Sequence, residues 1–285
     1  MAMDVARVCE CLYHHGGDQT GIIERQVGQR LELARFWGIQ PGWKILEVGC
    51  GEGITTVGLA AAVGFEGRVT AVDLDGSEEW EDPTLGELTQ FVTNSWLGER
   101  IEFLLGLDLL TSAEEFDARF DAVVFNQCSW YMPNVQVLRD LFGRVRPWAE
   151  RLAFHEWNPV PSSFDQVPHL LSALIQARLK AMDTVGILAA TGNIWSLITP
   201  DEARKAAVDA GWRIEAELEL VSSEAMEDGK SWEPGMAIHY GKQFLDTEDA
   251  LPTEAARAQL ERELSILESL AQDRRSLRSW AFTAI

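Results

Sequence analysis

From position 43 onward two hydrophobic patterns take turns along the chain. Short, nearly continuous apolar runs occupy 43–48, 68–75, 101–105, 120–127 and 151–157, and the stretches between them carry apolar residues at helical spacing. Runs of that length read as strands covered on both faces, and strands alternating with helices build a parallel sheet. The predicted helices are 54–64, one within 83–97, and 135–145. Ahead of the first strand, Ile23, Val27, Leu31 and Ala34 mark another helix, stopped by Gly38 and the Pro41-Gly42 pair.

Beyond Trp157 the alternation is interrupted. Pro159, Pro161 and Pro168 frame a loop before a helix over 169–182, and a second loop holds Gly186, Gly192 and Trp195. Thr199-Pro200-Asp201-Glu202 combines an N-cap hydroxyl, a proline at the first helical position and a glutamate at the third. That capping box starts a helix running to Ala210 and ended by Gly211. Residues 214–220 alternate strictly, as a half-exposed strand does. A helix over about 253–278, with Leu260, Leu264, Leu267 and Leu270 on one face, leads to a last strand at 279–285. The expectation is an α/β protein with a single domain over 1–285. Residues 1–40 form its leader, and inserted segments at 158–198 and 221–279 cover a substrate site or an interface.

With 285 residues, 46% of them hydrophobic, the chain can bury one large core. A net charge of −21 disfavours a nucleic-acid partner, because a phosphate backbone is met by clustered Lys and Arg. Cys9, Cys11, Cys50 and Cys128 are scattered without the partners of a metal site, so no metal is expected and the thiols read as reduced. The first ten residues lack a basic stretch leading into an apolar one, and no apolar run reaches the length of a membrane span. A soluble, cytoplasmic protein with no membrane contact is expected.

The chemistry concentrates where the first strand ends. Glu47-Val48-Gly49-Cys50-Gly51-Glu52-Gly53 places a carboxylate before three glycines spaced two apart, and a helical pattern begins at Ile54. Glycines admit positive φ and let a ligand lie against bare backbone, while the new helix offers unpaired N–H groups. A dinucleotide fingerprint would need its third glycine at position 54, where isoleucine stands, which weakens a nicotinamide reading. About 20 residues beyond the loop, Asp73 lies at the tip of the second strand's 68–75 run, at the spacing from which a carboxylate meets a ribose diol.

The Glu-x-Gly-x-Gly-x-Gly loop resembles motif I of the class I S-adenosylmethionine-dependent methyltransferases. The resemblance spans roughly 38–285 and is strongest over 43–126. It implies a Rossmann-like fold with a seven-stranded, mostly parallel sheet, an antiparallel last strand and helices on both faces, with S-adenosyl-L-methionine as cofactor. By that resemblance Glu47 holds the cofactor's ammonium group, Gly49, Cys50, Gly51 and Gly53 pack against its methionine part, and Asp73 with Leu74 takes the ribose. Asp108 and Leu109, after the third strand, are placed for the adenine, and one residue separates Asp108 from Gly106 where the family often has them adjacent. Asn126 and Gln127, just past the fourth strand, face cofactor and acceptor.

Acceptor contacts are expected from Trp130, Tyr131, Trp157, Trp195 and, through a leader acting as a lid, His15. His155 at the end of the fifth strand is the candidate general base, histidine being suited to proton transfer near neutral pH. With 11 tryptophans and no basic patch, the chain suggests a small, largely apolar acceptor, as in specialised metabolism, methylated on O, N or C. Alternatives on the same fold are a cyclase or lyase using the sulfonium as a fixed charge, or a non-catalytic methyltransferase-like partner protein. The added C-terminal helix is also suited to a homodimer interface.

Overall fold

The apolar runs become strands and the periodic stretches become the helices that cover them. The computed structural model describes residues 4–14, 20–78, 83–112, 119–188, 194–221, 228–270 and 274–285. Its strands are β1 (Lys44–Val48), β2 (Arg68–Asp73), β3 (Ile101–Leu105), β4 (Phe120–Asn126), β5 (Ala149–Trp157), β6 (Ile214–Leu220) and β7 (Ser279–Ala284). They form one sheet in the order β3-β2-β1-β4-β5-β7-β6. β1 to β5 pair in parallel, and β7 runs antiparallel to both β5 and β6. This is the fold class expected from the sequence.

Among the described residues the helices are α1 (Val5–Cys9), α2 (Thr20–Phe36), α3 (Ile54–Val63), α4 (Leu85–Thr93), α5 (Val135–Val145), α6 (Val167–Met182), α7 (Pro200–Asp209), α8 (Glu233–Asp246) and α9 (Glu254–Ser269). One sheet face buries its side chains with α2 and α3, and the other packs Phe125, Phe142, Phe154 and Phe282 into an aromatic cluster. A third cluster, with Leu179, Phe244, Leu260, Leu264 and Leu267, joins α6, α8 and α9 to one another. The inserted segments thus make their own small core beside the sheet. None of these helices is long and apolar enough to cross a membrane.

Two features position the site. The chain goes from β1 outward to β2 and β3, then returns to place β4 on the other side of β1, so the strand ends open a crevice at that reversal. Val48 lies opposite both Val72 and Phe125, which brings Glu47, Asp73 and Asn126 to one edge of the sheet. The leader packs into the core instead of standing free: Cys9, Cys11 and Leu12 are buried, and Trp96 Nε1 donates to the Arg7 carbonyl oxygen (3.1 Å).

Several boundaries differ from expectation. β2 ends at Asp73, and Pro168 sits inside the first turn of α6, where its missing N–H costs nothing. α9 stops at Ser269, because Arg274 folds back to donate to the Leu267 and Leu270 carbonyl oxygens (2.7 and 2.9 Å) and so caps the helix. The Thr199 capping box forms as read. Strand β6 is one edge of the sheet, β3 being the other, and its outward glutamates are taken up by arginines: Arg151 on Glu215 (3.1 Å), Arg204 on Glu217 (3.1 Å) and Arg278 on Glu219 (2.9 Å).

Candidate active site

The glycine loop is built by sterics as much as by flexibility. Gly49, Gly51 and Gly53 adopt φ of 74°, 49° and 95°. A Cβ on Gly49 would lie 2.5 Å from the Cys128 Cβ, so β1 and the β4 exit approach closely only because glycine stands there. Gly49 and Cys50 both donate to the Val72 carbonyl oxygen (2.9 and 3.1 Å), tying the loop to β2. No side chain caps the start of α3, so its first N–H groups face the loop.

Two carboxylates flank this backbone. Asp73 accepts from Gly51 N at 2.7 Å and from Asp75 N at 3.1 Å, and burial still raises its proton affinity above the ordinary aspartate range. Glu47 is 1% exposed, and its Oε2 has no hydrogen-bond partner. Burial pushes its carboxyl up to about 8, with the Thr56 hydroxyl and Arg30 pulling the other way.

The other residues expected at the nucleoside end divide. Leu74 is 62% exposed at the strand end, beside the crevice. Asp108 spends its carboxylate on its own turn, accepting from Leu110 N (2.9 Å) and Thr111 Oγ1 (2.7 Å). Leu109 turns into the main core, where its side chain packs with Phe120 and Leu138.

Asn126 and His155 lie below the crevice. Asn126 Nδ2 donates to Thr55 Oγ1 (2.8 Å), and its Oδ1 pairs with His155 Nδ1 (2.8 Å). Because that oxygen can only accept, Nδ1 carries the proton and the lone pair lies on Nε2. His155 is 0% exposed, and burial holds its pKa well below the usual histidine value, Arg30 adding to the effect. The imidazole is thus a neutral, anchored part of the floor.

The residues expected to meet an acceptor are set differently. Trp130 is core, its Nε1 donating to the Ile198 carbonyl oxygen (3.3 Å), while its own carbonyl oxygen accepts from Trp195 N (2.8 Å). Trp195 is partly exposed under Lys180, whose Nζ lies 4.9 Å from the ring. Trp157 is buried with its ring 5.2 Å from that of His169. Tyr131 keeps 42% of its surface accessible, yet protein surrounds its phenol, whose proton affinity burial raises along with Glu233, Glu156 and Asp228. His15 lies outside the described residues.

Glu233 and Arg30 escape sequence reasoning, whereas Glu156, next to His155 at the end of β5, has a structural part. Glu156 holds the turn after β4: its Oε2 accepts from Ser129 N, Ser129 Oγ and Trp130 N (3.0, 2.8 and 3.3 Å), and its Oε1 from Trp157 N (2.9 Å). Burial raises its carboxyl to about 7 against those four bonds. Glu233, at the first turn of α8, accepts from Gln176 Nε2 (2.5 Å) and is likewise raised to about 7 by burial. Arg30 on α2 is 6% exposed and donates to the amide oxygens of Gln29 and Gln127. Burial lowers it to about 10 while Asp228, Glu47 and Glu156 oppose the shift. One signal was present for Arg30: Gly58 on α3, where a Cβ would come within 3.0 Å of the Arg30 Cβ. Among the described residues no group of three or more His, Cys, Asp and Glu is arranged to hold a metal ion.

A seven-stranded sheet of this order, with a glycine loop after β1 and an acid closing β2, has the architecture of class I S-adenosylmethionine-dependent methyltransferases. Over residues 16–79 the chain matches the family model of protein-L-isoaspartate(D-aspartate) O-methyltransferase. Comparison with curated protein sequences gives no match. Among solved structures, the chain is 26% identical to a cyclopropane-fatty-acyl-phospholipid synthase-like protein from Lactobacillus casei, over 98% of both chains and with a TM-score of 0.82. It shares its fold with the mycolic acid cyclopropane synthase CmaA1 complexed with SAH and CTAB (15% identity, 92% of this chain and 84% of that one, TM-score 0.53). The [4+2]-cyclase SpnF is a further fold neighbour (15% identity, 90% of this chain and 79% of that one, TM-score 0.52). The resemblance read from the glycine loop is thus met twice, by a methyltransferase family model over residues 16–79 and by the fold over the whole length.

Proposed function

We propose that this chain is an S-adenosylmethionine-dependent methyltransferase acting on a small acceptor with a largely apolar body. The observation that carries the reading is the pairing of Glu47 and Asp73 on neighbouring strand ends around a loop of three positive-φ glycines. The residues present fit that cofactor: Glu47 offers a buried carboxylate oxygen that lacks a donor, and the loop leaves its backbone bare. Asp73 would take the ribose hydroxyls, Glu47 the ammonium group, and the Gly49–Gly53 backbone the methionine part. When bound, the cofactor supplies a methyl group activated by a positively charged sulfur.

The protein's own contribution is alignment, exclusion of water and handling of one proton. Glu156 fixes the Ser129–Tyr131 turn, so the wall between cofactor and acceptor is rigid. Glu233, with a proton affinity near neutrality and Tyr131 beside it, is the group suited to take a proton from an acceptor hydroxyl or amine. Trp195 and the α6–α8 face contribute the apolar wall. His155, buried beneath and bonded to Asn126, positions the floor.

The test is turnover with S-adenosylmethionine against a panel of apolar alcohols, phenols and amines, read by mass spectrometry. A product heavier by one methylene, with S-adenosylhomocysteine released, supports methyl transfer. An isomeric product with the cofactor intact would replace it by a cyclase on the same fold.

A further inference from the structure

We infer that Arg30, reaching in from α2, receives the α-carboxylate of the cofactor's methionine moiety while Glu47 takes its ammonium group. This rests on the S-adenosylmethionine reading above. An α-amino acid head is a zwitterion, so a buried pocket for it must present an acceptor and donors together, each lacking a partner until the ligand arrives. The crevice presents that set: Glu47 Oε2 as the acceptor, with Arg30 Nε and Gln127 Nε2 as donors, all buried and without partners.

These groups meet across layers of the fold. Glu47 is on β1 and Gln127 follows β4, whereas Arg30 belongs to the helix that covers them. Arg30 is 94% buried, taken as the complement of its 6% exposure, and Glu47 is among the charges acting on it. Its described hydrogen bonds go to two amide oxygens, those of Gln29 and Gln127, which leaves the guanidinium charge itself available. Gln127 is held at φ 50°, a left-handed conformation uncommon outside glycine, and in it the side chain meets Arg30. Gly58 on α3 lets α2 come close enough for the Arg30 stem to pass. A charge-assisted, two-pronged grip on a carboxylate is what arginine does best. The leader is on this account part of the cofactor site.

Calorimetry with two probes separates this role from a structural one. S-adenosylhomocysteine carries the amino-acid head, and 5′-methylthioadenosine shares the nucleoside and sulfur without it. The native protein should bind the first much more tightly. Arg30→Gln should weaken S-adenosylhomocysteine on the order of 100-fold while moving 5′-methylthioadenosine less than about threefold, with Arg30→Lys in between. Equal weakening of both probes, or of neither, overturns the assignment. Should Arg30→Gln fail to fold, the native protein still decides: decarboxylated S-adenosylmethionine binding as tightly as the intact cofactor overturns it. If the native protein binds 5′-methylthioadenosine but gains nothing from the amino-acid head, the Arg30 role falls and the nucleoside site stands. If it binds none of these compounds, the cofactor reading falls and takes this assignment with it.

Discussion

On the proposed function, the crevice has a cofactor half and an acceptor half, and the two are built of different materials. Around β1 and β2 the surface is mostly main chain: three glycines, the N–H groups of a helix start and two carboxylates at strand tips. Around the ends of β4 and β5 it is side chain: Tyr131 and Glu156 come from the sheet and its β4 turn, and Glu233 and Gln176 from a helical insert with a core of its own. Main-chain recognition tolerates few substitutions and suits an invariant ligand, whereas a wall of side chains on a separate core can change without disturbing the sheet. On the proposed function, the insert's share of the wall is the part that could vary while the cofactor's seat stays fixed.

The sharpest way to break that division is at Asp73. Asp73→Ala should weaken S-adenosylhomocysteine on the order of 100-fold or more by calorimetry, since it removes a charged acceptor for two hydroxyls and frees the Gly51 N–H. Unchanged affinity would remove Asp73 from the site. Next comes a matched pair of glycine substitutions. Gly49→Ala forces a Cβ to 2.5 Å from the Cys128 Cβ, and Gly229→Ala forces one to 2.6 Å from His169 Nδ1. Each should cost about 2 kcal/mol or more of stability in denaturant titration. Only Gly49→Ala should also abolish nucleoside binding, and equal effects on affinity would show the halves to be coupled.

The pH dependence of the cofactor-free protein is a third, milder test. Burial holds Glu47 at about 8 and Glu156 and Glu233 at about 7, all above the ordinary 4.5. The native state then keeps protons that the unfolded chain has released, so these groups cost stability progressively as pH rises through 7 to 8. His155 and His169 are depressed, His169 to about 3, and they act oppositely: the unfolded chain binds their protons below about 6.5, so their contribution grows up to that pH and is then constant. Melting temperature should therefore fall between about pH 6.5 and 8, and Glu233→Gln, which keeps an oxygen for Gln176, should make that fall shallower. The smallest effect is expected at His155. His155→Gln should cost about 1 kcal/mol through its bond to Asn126 and leave the pH profile of turnover in place. A lost alkaline or acid limb would return the histidine to the chemistry.

What could be read in the chain follows the same division. Strand runs, the glycine loop, Asp73 and the Thr199 capping box are local patterns, each fixed by residues within a few positions, and all stand where expected. Asp108 stands just after β3 as read, its carboxylate accepting from the Leu110 N–H and the Thr111 hydroxyl as that of Asp73 accepts from Gly51 and Asp75. His155 and Trp130 have the right residue types at strand ends, yet β-strand alternation and a 3-10 turn point them into the protein. Arg30 looked like one more polar position on an amphipathic helix. Only the approach of α2 to α3 at Gly58 reveals it, and that contact joins residues 28 positions apart, the difference between those two numbers. Glu233 and Gln176 likewise meet only once the insert has folded.

The arginine-clasped glutamates along β6 have a consequence for the molecule in crowded surroundings. An open sheet margin invites any extended chain to zip onto it, and fibrous deposits begin in that way. Here a would-be recruit meets a row of carboxylates neutralised pairwise by Arg151, Arg204 and Arg278, and displacing them exposes bare negative charge. The last rung of the ladder therefore guards solubility, and replacing Glu215, Glu217 and Glu219 by threonine would turn it into a sticky seam.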